Sequence, residues 1–188
     1  MVTHRLPPML WAFIRTFSFG ASMTSPTPPT IPLLTGVGSG ATALAAFDSA
    51  LRAAGVANFN LIRLSSVIPP HTGVDADGGS PLPAGGWGDR LYCVYAEQRA
   101  STPGEQAWAG IGWVQRLDGA GGLFVEHAGG SEEFVRKVIR ASLTDLVAGR
   151  PELFGPPQQV VVGATCVDAP VCALALAAYE TNAWDFLR

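Results

Sequence analysis

The sequence predicts an α/β protein of mainly antiparallel strands, layered as an α-β-β-α sandwich. Three observations lead there: two segments carry helical periodicity, about six carry strand character, and many of those strands are apolar on both faces. Sheets of that kind must be covered on each side, by another sheet or by a helix. The chain has 188 residues, 48% hydrophobic and 14% charged, which suits one domain with a substantial core. A net charge of -3, scattered without a basic stripe, argues against nucleic acid as a partner. Low charge together with a mean hydropathy of +0.25 implies more hidden surface than one chain of this size provides, and points to a homo-oligomer.

Residues 1–29 read as a disordered leader and Pro/Thr-rich spacer, with Met23 available as an alternative start. The apolar patch from Met9 to Phe19 has the outline of a weak signal peptide, but Arg15 interrupts it and it is too short to span a bilayer. The folded domain is expected over 30–188 and its location in the cytoplasm.

"IPLLTGVGSG" (31–40) reads as a short strand running into a Gly-rich turn. "ATALAAFDSALRAAG" reads as a helix with Leu44, Phe47, Leu51 and Ala54 at helical spacing, closed by Gly55. A strand from Asn58 to Val67 follows, then a long Pro/Gly-rich loop from Pro69 to Gly88. "RLYCVYAEQ" and "QAWAGIGWVQRL" read as a hairpin joined by "RASTPGE", and "GGLFVEHAG" as a further strand. Ser131 can cap a helix with Glu132 and Glu133 in its first turn, where the helix dipole favours anions. That helix presents Val135, Val138, Ile139, Ser142, Leu143 and Leu146 along one face and ends at Gly149 and Pro151. Two last strands flank the corner Asp168-Ala169-Pro170.

Cys93, Cys166 and Cys172 lie inside apolar runs without metal-ligand spacing and read as reduced core thiols. His4, His71 and His127 are far apart, so no metal site is expected. "GVGSGA" matches the start of a dinucleotide-binding fingerprint, but Ala57 and Asn58 stand where the ribose carboxylate belongs and antiparallel strands follow. A turn that lets the backbone approach something closely accounts for these glycines better. Glu126 sits inside an apolar strand, where desolvation would raise its pKa toward that of a general acid. Strand alternation puts Leu123, Val125 and His127 on one face and Phe124 with Glu126 on the other, so a solvent-facing carboxylate is equally compatible. His127 reads as a surface residue, and Asp48 as an exposed helical carboxylate.

The stretch "NFNLIRLSSVIPP" ends an apolar strand on adjacent serines, Ser65 and Ser66. Serines at a strand end commonly satisfy a turn. No G-x-S-x-G elbow surrounds them, and no local Ser, His and Asp set can be assembled. Adjacent serines suffice for another chemistry. A hydroxyl in a strained turn can attack the preceding carbonyl, and β-elimination then cuts the chain and leaves dehydroalanine, which hydrolyses to a pyruvoyl group.

In "AFDSALRAAGVANFNLIRLSSVIPP" and "GGLFVEHAG" the sequence resembles the pyruvoyl-dependent arginine decarboxylases, from about Pro32 to Tyr179. The resemblance implies a proenzyme that cuts itself between Ser65 and Ser66 and assembles as a trimer or a dimer of trimers, with active sites between subunits. It implies conversion of L-arginine to agmatine and CO2 by a covalent pyruvoyl group derived from Ser66, without metal. Glu126 then matches the acid that protonates the carbanion, and Asn60 the residue near the substrate carboxylate. Asp48 matches the partner of the guanidinium, whose fork suits a carboxylate. Leu44 and Leu51 on the same helix, with Val67, would wall the aliphatic stem. Two alternatives stay open: a relative acting on another amino acid, and a non-catalytic oligomeric α/β ligand-binding protein in which Ser65-Ser66 is an uncut turn.

Overall fold

The computed structural model describes residues 28–184. The expected leader therefore falls almost wholly outside the described residues. Within them are nine strands and two helices, arranged as two sheets. The first sheet has the order β2-β5-β9-β1-β4 and the second β3-β7-β6-β8.

β1 (Thr30–Ser39) is longer than its glycines suggest: the predicted turn at Gly36 and Gly38 is strand, paired antiparallel with β9 (Val171–Asn182). What approaches these glycines is α1 (Ala43–Ala53), whose N-cap Thr42 accepts from the Ala45 N–H at 3.1 Å. A Cβ on Gly36 or Gly38 would collide with backbone atoms of Ala50, so helix and strand lie closer than larger side chains permit. The buried stripe of α1 is accordingly Ala46, Ala50 and Ala54, with Phe47 and Leu51 partly buried beside them. Leu44, expected on that stripe, is instead 69% exposed.

The predicted strand over 58–67 is divided. β2 (Asn60–Arg63) pairs parallel with β5 (Arg90–Ala100) in the first sheet, and β3 (Val67–Ile68) pairs antiparallel with β7 (Gly122–Gly129) in the second. Between them Leu64, Ser65 and Ser66 carry the chain from one sheet to the other. The loop that follows contains β4 (Gly73–Asp75), which adds in parallel to β1.

The predicted hairpin does not form. β5 pairs with β2 and β9, whereas β6 (Gln106–Gln115) pairs with β7 and β8 (Gln158–Thr165), so "RASTPGE" crosses between sheets. The crossing is held by the corner before β9: Gly104 N–H donates to Cys166 O and Cys166 N–H to Glu105 O, both at 2.8 Å. Both strands are apolar on both faces, which gives no local preference for each other as partners.

The cores follow from this arrangement. Between the sheets lie Val94, Ala96, Ala109, Ile111, Trp113, Phe124, Ala173 and Ala175. α1 packs on the first sheet over Leu91, Cys93, Leu174 and Leu176. α2 (Glu132–Ala148) packs on the second with Val135, Ile139 and Leu143 against Val114, Leu123 and Val125. Leu146, predicted on that buried face, is exposed. Ser131 caps α2 as expected, accepting from Phe134 N–H at 3.2 Å. All three cysteines are buried and free, and burial pushes the Cys93 thiol up to about 12. No helix among the described residues is long and apolar enough to cross a membrane.

Candidate active site

At the passage between sheets, Ser66 has φ 69°, the left-handed region that a residue with a Cβ enters at a cost. Two hydrogen bonds hold it there. Its carbonyl accepts from Phe124 N–H at 2.8 Å, and its hydroxyl donates to Glu126 Oε2 at 2.9 Å. β7 therefore supplies both partners, one from its backbone and one from the side chain two residues on.

Glu126 lies with Phe124 on the face of β7 toward the first sheet rather than toward bulk solvent, which decides between the two orientations that strand alternation allows. Burial raises the pKa of its carboxyl, opposed by the Ser66 hydrogen bond and the positive charge of Arg63. Its second oxygen, Oε1, is buried without a hydrogen-bond partner. Such an acceptor is costly unless a donor or a proton arrives. Arg63 is itself fixed, donating to Tyr95 O at 2.9 Å with its guanidinium 4.1 Å from the Tyr95 ring centre.

An open cavity of about 520 Å³ lies over this group, lined by Ser65, Ser66, Val67, Leu123 to His127, and by Ser142, Asp145, Leu146 and Arg150. His127, expected as a surface residue, is half-buried toward α2, with Nε2 2.8 Å from Ser142 Oγ, and burial lowers its pKa. On the other flank of the same segment, a cavity of about 440 Å³ is lined by Leu64, Pro69, Tyr92, Tyr179 and Glu180, among others.

Of the expected site residues, Ser65, Ser66, Val67 and Glu126 come together in one chain. Asn60, Asp48, Leu44 and Leu51 do not line that cavity. The Asn60 amide donates to Gly88 O at 2.6 Å. Asp48 is half-exposed on α1 and ion-paired with Arg52. Leu51 is partly buried against the first sheet, and Leu44 projects into solvent.

Two neighbours of the serines are absent from the sequence-based expectations. Arg63 carries a local signal, as the one charge in "NLIRL". Tyr179 carries none, because its proximity depends on strand pairing. Its hydroxyl donates to Val67 O at 3.0 Å, and burial and the nearby Glu126 raise its pKa.

The family model described as pyruvoyl-dependent arginine decarboxylase matches residues 30–182. Proteins of that name are similar to this chain. The one from Halobacterium salinarum (strain ATCC 29341 / DSM 671 / R1) is 45% identical over 100 residues, 53% of this chain and 61% of that protein. The one from Pyrococcus abyssi is 36% identical over 122 residues, 62% of this chain and 75% of that protein. The one from Thermococcus sibiricus is 31% identical over 154 residues, 81% of this chain and 96% of that protein. The chain thus spans less than two thirds of the length of the Halobacterium relative.

Proposed function

Because the chain belongs to the pyruvoyl-dependent arginine decarboxylase family, we propose that it is a self-cleaving proenzyme which, once cut between Ser65 and Ser66, converts L-arginine to agmatine and CO2. One observation carries the reading: Ser66 is held in the left-handed region with its hydroxyl on the carboxylate of Glu126, where the chain passes between sheets.

The contact between Ser66 and Glu126 supports the first step of the cut, and the later steps follow from the chemistry of the ester it forms. Ionised Glu126 draws the hydroxyl proton as Ser66 Oγ attacks the carbonyl carbon of Ser65. The new C–O bond replaces the peptide C–N bond, and the proton passes to the released Ser66 nitrogen. Loss of the Ser66 Cα proton then breaks Cβ–Oγ, freeing the Ser65 carboxylate and leaving dehydroalanine. Water adds to the resulting imine and ammonia leaves, so that residue 66 ends as a ketone. Strain at Ser66 favours departure from the starting geometry.

The surroundings suit such a ketone, since Phe124 N–H already holds the carbonyl of residue 66 and the unpaired Glu126 Oε1 offers a place for a proton. A ketone conjugated to an amide carbonyl supplies the electron withdrawal that lets CO2 leave an amino acid. Glu126 supplies the proton that replaces the carboxylate. Its pKa is set for this by the cut itself: the Ser66 hydroxyl lowers it, and once that hydroxyl is consumed the desolvation that raises it is less opposed.

Asn60, Asp48, Leu44 and Leu51 are outside this chain's cavity, so in this reading they serve a site between subunits. Asp48 would take the guanidinium, Leu44 and Leu51 the stem, and Asn60 the substrate carboxylate, with Val67 lining the cavity beside residue 66. The exposure of Leu44 at 69% and of Val67 at 58% supports a covered surface. The assembly proposed is a trimer or a dimer of trimers, each subunit an α-β-β-α sandwich over residues 30–188. Buried free thiols suit the cytoplasm.

Denaturing electrophoresis with intact mass tests the cut, and CO2 release from labelled arginine tests the activity. Two fragments meeting at Ser65/Ser66, the larger without a free amino terminus, are expected. An unbroken chain in active material would overturn the reading and favour an uncut ligand-binding protein.

A further inference from the structure

Cutting Ser65-Ser66 removes the covalent link between sheets at the residue that must stay aligned with Glu126. The strand left behind is anchored by Ile68, buried in the core between the sheets, but residues 66 and 67 lie beyond that anchor and Val67 is exposed. β3 is two residues long, lies at the edge of its sheet, and pairs only through Val67 opposite Leu123 and Ile68 opposite Gly122.

β9 supplies a further anchor, Tyr179, on its face toward the second sheet. Along this strand Val171, Ala173, Ala175 and Ala177 face the other sheet, and Cys172, Leu174 and Leu176 face α1. Against β5 the register passes from Ala178 opposite Cys93 to Glu180 opposite Tyr92, so Tyr179 has no partner and forms a β-bulge. Bulges redirect side chains and are common beside active sites. Here Tyr179 and Glu180, adjacent in sequence, line the same cavity. Tyr179 donates to Val67 O at 3.0 Å and packs edge-on against Phe124, with ring centres 6.1 Å apart. Phe124 in turn holds the carbonyl of residue 66.

We propose that Tyr179 is a positioning residue for the reaction: a tether from the first sheet that keeps residues 66 and 67 in place after the chain is cut. This rests on the self-cleavage reading above. Residue 66 acquires a free end in the mature protein, and the bonds from Phe124 and Tyr179 fix its carbonyl and the next one. Burial raises the pKa of the phenol, so the donor persists through neutral and mildly alkaline pH.

Tyr179→Phe removes the hydroxyl and keeps the ring contact. In the cut protein, hydrogen exchange of the peptide covering residues 66–72 should rise about five- to tenfold, as expected for one lost hydrogen bond, while the peptide covering 171–178 stays within about twofold. kcat should fall by roughly the same factor, with KM for arginine within about twofold. Unchanged exchange at 66–72 overturns the tether. Acceleration shared by 171–178 also overturns it, since that marks a general loosening of the sheet. A wild-type chain found uncut overturns the self-cleavage reading instead; that failure is read from fragment masses rather than exchange rates, so the two are told apart.

Discussion

Replacing Ser66 with glycine and, separately, with alanine isolates the strain at the proposed cleavage site. Both variants lack the hydroxyl and both leave Glu126 without its Ser66 partner, so these losses cancel in the comparison. What remains is φ 69° at this position. A left-handed residue with a Cβ costs roughly 1–2 kcal/mol, and glycine recovers this less the ~0.5–1 kcal/mol of extra chain entropy it loses on folding. Ser66→Gly should therefore be more stable than Ser66→Ala by about 1 kcal/mol. For a domain of this size that is a melting temperature about 2–4 °C higher. Thermal unfolding of the two uncut proteins at equal concentration, followed by circular dichroism, measures it. Equal or reversed melting temperatures would refute backbone strain at Ser66, and two fragments from either variant would refute its hydroxyl as the attacking group.

Glu126→Gln should lower decarboxylation by roughly two to four orders of magnitude, the usual cost of a lost general acid, measured as CO2 release per cut chain. Arg63 lowers the pKa of Glu126, so Arg63→Met should move the alkaline limb of the kcat profile to higher pH; a shift to lower pH contradicts the electrostatics. The same raised pKa has a sign for stability. The folded carboxyl binds protons more tightly than the unfolded one, so its contribution is complete below the unfolded value and is lost as pH rises through the folded value. Urea titration of Ser66→Gly with and without Glu126→Gln should show that slope disappear. Asp48→Asn should raise KM for arginine about ten- to hundredfold and leave stability within ~0.5 kcal/mol, because its ion pair with Arg52 is exposed.

The sequence exposes what local chemistry decides. Ser131 caps α2, and Val135, Ile139 and Leu143 recur on its buried face because capping and periodicity act within a few residues. Ser65, Ser66 and Glu126 are identifiable because a paired hydroxyl and a carboxylate stand out in apolar strands. Pairing is less legible. β5 and β6 are adjacent and both apolar, and their placement in separate sheets rests on pairing with β2, β9, β7 and β8, strands distant in the chain. The division of 58–67 is hidden for a related reason, since Leu64 is as apolar as a continuous strand would require and the break is made by φ at Ser66. α1 misleads by size: its leucines suggest the buried face, yet Gly36 and Gly38 bring the helix so near that alanines fill it. Tyr179 continues the inter-sheet face of β9, but its meeting with Val67 joins segments far apart in the chain, which no local pattern encodes.

The position of β1 decides what happens to the halves after scission. On the proposed cut β1 would belong to the shorter fragment, yet it lies between β9 and β4, both of the longer one, while β2 adds beside β5. The pieces are interleaved and cannot part by sliding; at least one sheet must come apart. Once they do, recovery is a bimolecular encounter that depends on concentration, no longer aided by the short tether that guided the precursor. Heating and cooling the cut protein should therefore restore far less native protein than the same cycle applied to an uncut variant.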